Sequence, residues 1–356
     1  MRRAQGDEAT LPGGETLKRP PRAAIFGCAG ARLSDAEHRF FAAAEPLGFI
    51  LFARNCPNPD ATRALVRDLR ATVGRTGAPV LIDQEGGRVQ RLKPPHWRPA
   101  PPAARFGAIA AGDPEAAGEA AYANARLIAA ELIELGIDVD CAPVADLRLP
   151  GAHDIIGDRA CGSDPAAVAR LARATCRGLI DGGVLPVIKH IPGHGRATVD
   201  SHHALPRVEV PLAELDRTDF EAFRRLADMP WAMTAHVVYT AIDSERPATL
   251  SPTVIGEVIR GRIGFDGFLV SDDLAMKALS GDAGDLAAEA IAAGCDAVLH
   301  CTGNMGEMER IAAKAPRLGE AALARLDRGR RLRPTSPPGD DLVALGRRLD
   351  AILAMA

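Results

Sequence analysis

The sequence predicts an α/β fold, a single-domain (β/α)8 barrel of the TIM type, on three observations. Eight short apolar runs alternate with eight longer amphipathic stretches over about 290 residues, the count such a barrel needs. Helix–Gly–strand joints such as Leu135-Gly136-Ile137 and Ala293-Gly294-Cys295 supply the short connections of parallel α/β proteins. Acids, bases and cations collect at one end of the apolar runs, where barrel enzymes carry their chemistry. A doubly wound open sheet is the alternative, but Gly27-Cys28-Ala29-Gly30-Ala31-Arg32 lacks the third glycine of a dinucleotide fingerprint, and no Walker-type loop occurs.

The expected strands are Ala23–Cys28, Phe49–Ala53, Pro79–Asp83, Ile137–Pro143, Leu185–His190, Ala232–His236, Phe268–Asp272 and Ala297–Cys301. Between them helices are expected over Ser34–Glu45, Pro59–Val73, Pro114–Leu135, Pro165–Asp181, Leu212–Ala227, Pro252–Arg260, Asp285–Ala293 and Asn304–Ala313. Asp113-Pro114, Asp164-Pro165 and Ser251-Pro252 place a capping side chain ahead of a proline at the first turn. Two long connections stand out, residues 92–112 and 191–210, and insertions of that length in a compact domain are usually functional. Residues 1–21 read as a flexible tail, 22–332 as the barrel, and 333–356 as a Pro-rich linker with a last helix, Asp340–Met355, packed on the barrel.

Composition narrows the class. Apolar residues make up 47% of the 356, enough for a large core, and a net charge of −3 gives no reason to expect nucleic acid or an anionic membrane as partner. Seven scattered cysteines, odd in number and without a C-x-x-C pair, read as reduced thiols in a cytoplasmic protein. No apolar run has the length of a membrane span, and the N-terminus lacks a secretory core. A monomer is the expected state.

The functional signal lies at and just beyond the carboxyl ends of the strands. The third is continued by Asp83-Gln84-Glu85-Gly86-Gly87-Arg88-Val89-Gln90-Arg91, the fifth ends in Lys189-His190, the sixth near His236, and the seventh in Ser271-Asp272-Asp273-Leu274. Asp146 and Ile156-Gly157-Asp158-Arg159 come after the fourth. Four of the nine histidines fall between 190 and 203, in a stretch that Pro192, Gly193 and Gly195 keep from regular structure. Each feature also has a plainer reading. Asp272-Asp273 suits a helix N-cap pair, and neighbours on a strand point to opposite faces, so one of the two at most is expected at the mouth. Arg91 and Arg159 suit surface ion pairs, and His236 a satisfied core histidine. His190, His194, His202 and Asp200 are possible zinc ligands, but no H-x-H or H-E-x-x-H pattern is present and Lys189 adjoins them, so no metal and no cofactor is expected.

The block from Asp83 to Arg91, Ile156-Gly157-Asp158-Arg159, the run Lys189-His190-Ile191-Pro192-Gly193-His194-Gly195, Asp200-Ser201-His202 and the run Ser271 to Met276 resemble glycoside hydrolase family 3. Within it they look like the single-domain bacterial β-N-acetylglucosaminidases of peptidoglycan recycling. Ile191 stands where phenylalanine is usual and Arg196 where an acid is expected. The resemblance implies that Asp272 is the nucleophile and that His202, paired with Asp200, is the acid/base. It implies that Asp83, Arg91, Arg159, Lys189 and His190 hold the sugar, a non-reducing N-acetylglucosamine on a muropeptide fragment. Asp200 beside His202 favours the protonated imidazole, which can give its proton to the leaving oxygen and take one from water. Substrate-assisted hydrolysis through the Asp272-Asp273 pair, phosphorolysis, and a non-enzymatic sugar-binding barrel are the rival readings.

Overall fold

The computed structural model describes residues 9–10, 16–17, 19–151, 154–197, 204–335 and 339–355. Eight parallel strands close into a barrel: β1 (Arg22–Gly27), β2 (Pro46–Leu51), β3 (Val80–Ile82), β4 (Val139–Asp140), β5 (Leu185–Ile191), β6 (Trp231–Thr234), β7 (Phe268–Asp273) and β8 (Ala297–His300). They run in sequence order around the ring, with β8 beside β1 and β5 beside β6. Alternation within each strand separates two cores. Ala23, Ile25, Leu81, Val187, Met233 and Val270 fill the interior, while Ala24, Phe26, Val80, Ile188 and Leu269 meet the helical ring. Both faces are buried, so the strands read as continuous apolar runs.

The ring comprises α1 (Asp35–Ala44), α2 (Pro59–Thr72), α3 (Ala103–Ala110), α4 (Pro114–Leu135), α5 (Pro165–Asp181), α6 (Leu212–Arg217), α7 (Asp219–Arg224), a π-helical segment Val254–Arg262, α8 (Ala283–Ala293) and α9 (Met305–Lys314). The helix starts obey capping chemistry: Asp113 accepts from Glu115 and Ala116, and Asp164 from Ala167. Ser34 and Glu37 form a reciprocal capping box on α1.

Four sequence expectations need correction. The helix expected over Leu212–Ala227 breaks at Thr218, whose hydroxyl donates to the Glu214 carbonyl at 2.6 Å and whose backbone, at φ −121° and ψ −88°, is not helical. Pro252–Arg260 is a wider π turn displaced two residues onward. The connection 92–112 contains α3, and a further helix, α10 (Glu320–Arg330), lies in a stretch where the sequence pattern suggested none. Leu318, Ala322 and Leu326 join the barrel's inner core, so α10 covers the amino-terminal end of the barrel. The last helix, α11 (Leu342–Ala354), packs on α4 and buries Leu349 and Ile352 in one cluster with Phe106, Ile109 and Leu171. All seven cysteines are free and six are buried. No helix among the described residues is long and apolar enough to cross a membrane.

Candidate active site

The carboxyl ends of the strands surround a cavity of about 310 Å³. After β3 the chain makes a tight hairpin, Gln84–Gly86 against Val89–Gln90, whose turn needs positive φ at Gly86 (101°) and Gly87 (57°). The Gln84 side-chain oxygen accepts the N–H groups of Arg91 (2.9 Å) and Leu92 (3.0 Å), which sets where Arg91 leaves the hairpin. Asp83, Arg91 and Glu85 are thereby brought over Lys189, near the carboxyl end of β5.

These groups form one ionic cluster. The Lys189 ammonium, 2% exposed, lies 2.8 Å from Asp83 Oδ1 and 2.6 Å from Glu85 Oε1. Arg91 donates to the other Asp83 oxygen at 2.9 Å, and Arg159 grips Glu85 through two bonds of 2.8 Å. Burial alone would raise both carboxyl pKa values, but the facing cations overcome it. Lys189 and Arg91 hold Asp83 far below the ordinary carboxylate range, and Arg159 and Lys189 bring Glu85 to about 2. Burial works against the Lys189 charge too, and Asp83 and Glu85 reverse it and raise its pKa. The cluster therefore stays fully charged, presenting fixed donors and acceptors to hydroxyl groups.

Next to it, His190 Nδ1 lies 2.7 Å from the wholly buried Asp146, whose other oxygen accepts the backbone N–H of His194 at 2.7 Å. That carboxylate fixes the ring's orientation. Burial, then the charge on His190, push the His194 pKa down to about 4, so its ring is neutral at pH 7. Gly193 has φ +138°, and a Cβ there would lie 2.8 Å from Asp219 Cβ; the strand end can pass α7 this closely only with glycine.

Across the cavity, Asp272 stands half-buried one residue before the end of β7. Burial raises its pKa, but the neighbouring imidazoles of His190 and His236 and the Asp273 N–H (2.8 Å to Oδ1) outweigh it and lower the pKa, so the carboxylate is ionised. Asp273 also lines the cavity, against the sequence expectation that one of the pair at most would do so. The reason is a register shift of β7 against β8 between Val270 and Asp273, an irregularity that re-aims consecutive side chains. His236 is wholly buried and bonded to Thr249 (2.8 Å) and the Asp273 carbonyl (3.0 Å), the satisfied core histidine of the plainer reading.

Asp83, Arg91, Arg159, Lys189, His190 and Asp272 thus line one cavity. Asp200, His202 and His203 lie outside the described residues. Glu85 and Asp146 stand just beyond strand ends and hold the cavity's cations and His190 in place, and the sequence reading, which names Asp146 among the strand-end polar groups, gives neither a role. Charge balance is the available signal for Glu85, since buried Lys189 and Arg159 require more anion than Asp83 alone supplies. Arg196, the residue standing where an acid was expected, pairs with Asp219 (2.6 Å) and Glu214 (2.9 Å) on α7 and α6.

An ionised carboxylate at a barrel rim, facing a fixed array of charged donors and acceptors and a neutral imidazole, is an arrangement that suits a glycoside hydrolase. The sequence matches the glycosyl hydrolase family 3 N terminal domain over residues 28–331, and the chain belongs to that family, among its β-hexosaminidases. It is 43% identical to a beta-hexosaminidase of Alkalilimnicola ehrlichii over 283 residues, covering 78% of this chain and 80% of that one. A beta-hexosaminidase of Bordetella avium is 38% identical over 92% of this chain and 93% of its own. Among solved structures, NagZ from Neisseria gonorrhoeae superposes with a TM-score of 0.83 at 32% identity, over 95% of this chain and 98% of that one. The same Neisseria protein has been solved in complex with N-trifluoroacetyl-D-glucosamine.

Proposed function

We propose that this chain is a retaining exo-β-N-acetylglucosaminidase that removes a non-reducing N-acetylglucosamine from peptidoglycan fragments, N-acetylglucosaminyl-1,6-anhydro-muramoyl units with or without peptide, in the cytoplasm. The observation that carries it is Asp272: ionised, at the carboxyl end of β7, opposite the Asp83–Lys189–Glu85–Arg159 cluster across one cavity. A cavity of this size takes one pyranose ring and suits attack at a chain end rather than within a polymer. The β-hexosaminidase relatives and the glucosamine-derived ligand of the Neisseria protein support N-acetylglucosamine as the sugar.

In this reading Asp83 accepts from sugar hydroxyls while Arg91, Arg159, Lys189 and His190 donate to hydroxyls and to the acetamido carbonyl. Asp272 attacks the anomeric carbon and forms a glycosyl-enzyme ester as the aglycone leaves. His202, oriented by Asp200, gives the leaving oxygen its proton and then takes one from the water that opens the ester. The segment bearing these two residues begins four residues beyond His194, which lines the cavity, a distance in sequence that suits the role.

A fluorinated N-acetylglucosaminide that accumulates the ester should add one glycosyl mass to a peptide containing Asp272. Asp272→Asn should abolish turnover of p-nitrophenyl N-acetyl-β-glucosaminide with an unchanged melting temperature. An adduct on any other residue, or turnover retained by the Asn variant, rejects the proposal.

A further inference from the structure

Double displacement by Asp272 and His202 leaves Asp273 without a part, although it shares the cavity with the nucleophile. Its position is fixed from three sides. Oδ1 accepts the N–H groups of Ala275 (3.1 Å) and Cys301 (3.0 Å), and its carbonyl accepts from His236 Nε2 (3.0 Å). The side chain nevertheless keeps 20% of its surface open. The cavity has two unlike walls. Asp83, Arg91, Arg159, Lys189 and His190 bring charge to the side of β3 to β5, where Arg91 also lies over the Phe52 ring (5.2 Å), whereas Met276, Leu299 and Cys301 lie beside Asp273 on the side of β7 and β8.

A fixed carboxylate in an apolar wall suits a ligand group that combines an N–H with a methyl. The acetamido substituent is such a group, and C2, which bears it, is bonded directly to the carbon that Asp272 attacks. A residue adjoining the nucleophile is therefore within reach of that substituent. We infer that Asp273 accepts the acetamido N–H, with the methyl against Met276, Leu299 and Cys301, and so determines specificity at the 2-position. The inference rests on the reading that Asp272 attacks the anomeric carbon.

The test compares p-nitrophenyl 2-acetamido-2-deoxy-β-glucoside with its 2-O-acetyl isostere, in which an ester oxygen replaces the N–H. In the wild-type enzyme the ester should have a kcat/KM about 10- to 100-fold lower, since the carboxylate then faces an acceptor. In Asp273→Asn the amide carbonyl is committed to the two backbone N–H groups, so the NH2 points into the cavity and meets the substrate's N–H. That variant should lower the amide substrate toward the ester and bring their ratio near one. A wild-type ratio near one overturns the inference without needing any variant, and so does an equal loss on both substrates in Asp273→Asn. The fluorosugar adduct separates the two readings. A large ratio without an adduct on Asp272 rejects the nucleophile assignment, and a ratio near one with the adduct present rejects only the Asp273 contact.

Discussion

Glu85 holds two cations that have almost no water to turn to, for Lys189 is 2% exposed and Arg159 10%. Removing one member of a buried pair leaves the other charge uncompensated, which typically costs about 3–5 kcal/mol. Glu85→Gln should therefore destabilise the fold by about that much in urea unfolding at pH 7. Asp83→Asn should cost less, because its second cation, Arg91, keeps 28% of its surface in solvent. A loss under about 1 kcal/mol for Glu85→Gln would show the cluster to be well solvated. The pH sign comes from the lowered pKa: the Glu85 contribution is complete above its unfolded value of about 4.3 and is lost as pH falls through about 2. Asp273 behaves in the opposite sense. Burial, together with the charge on Asp272, raises its pKa to about 6, so a contact that needs its ionised form weakens as pH falls through that value. The groups facing it are Asp272, whose pKa is lowered, the Cys301 thiol, which bonds its carboxylate and is kept protonated by burial, His300 at 3.9 Å, which burial pushes down to about 4, and His236 at its carbonyl. The acidic limb of kcat/KM on N-acetylglucosaminides near pH 6 should accordingly disappear in Asp273→Asn; a limb unchanged in that variant would assign it to another group.

At the scale of elements, the site depends on where strands stop being regular. The apolar run Val184–Ile188 and the Lys189-His190 pair that closes it are legible as a strand and its functional end, because burial on both faces leaves a continuous apolar signature. The β7 irregularity is not legible: alternation puts Asp272 and Asp273 on opposite faces, and a register shift set by pairing with β8 is a tertiary fact. The break at Thr218 is hidden for a similar reason. The periodicity of 212–227 is helical throughout, but Arg196 reaches in from another segment to bond Thr218 (3.0 Å) and Asp219 (2.6 Å). α10 is hidden because its run is rich in charge and buries little beyond Ala322 and Leu326 against the barrel's end. Glycine is where sequence and geometry agree most closely. Gly193→Ala requires a φ of +138° from an L residue and a Cβ 2.8 Å from Asp219, so β5's end and α7 must part. The variant should lose about 1–3 kcal/mol of stability and, because His190 and His194 flank the displaced point, should lose activity as well. Full activity in a stably folded Gly193→Ala would show that the β5–α7 approach does not position the histidines.

Over the whole molecule, the barrel's closure ties remote surfaces to the mouth through rigid contacts. α11 packs on α4, shares one buried cluster with Phe106 and Ile109 of α3 and accepts a bond from Arg105 of α3 at the Leu353 carbonyl (2.8 Å). Its entry is held by Arg126, 3% exposed, which bonds Asp340 at 2.9 and 2.7 Å. α3 in turn abuts the segment carrying Arg159 so closely that a Cβ on Gly107 would collide with the Cys161 carbonyl. Ending the chain after residue 335 removes α11 and exposes two buried aliphatic side chains, a loss of roughly 1.5–3 kcal/mol for each, and it also leaves Arg126 without its carboxylate. The melting temperature should fall. The kinetic consequence should be selective, because Arg159, fixed by Glu85, lines the wall proposed to hold the sugar, whereas Asp272 sits on β7 across the cavity. KM for p-nitrophenyl N-acetyl-β-glucosaminide should therefore rise a few-fold while kcat changes little, the signature of weakened binding shared by ground and transition states. Leu349→Ala with Ile352→Ala, which keeps the helix and the Arg126–Asp340 pair, should show a smaller shift in the same direction. If truncation lowers the melting temperature but leaves KM unaltered, α3 is held by the barrel alone and α11 is only a buttress; a matched fall in kcat would place the coupling at Asp272 instead.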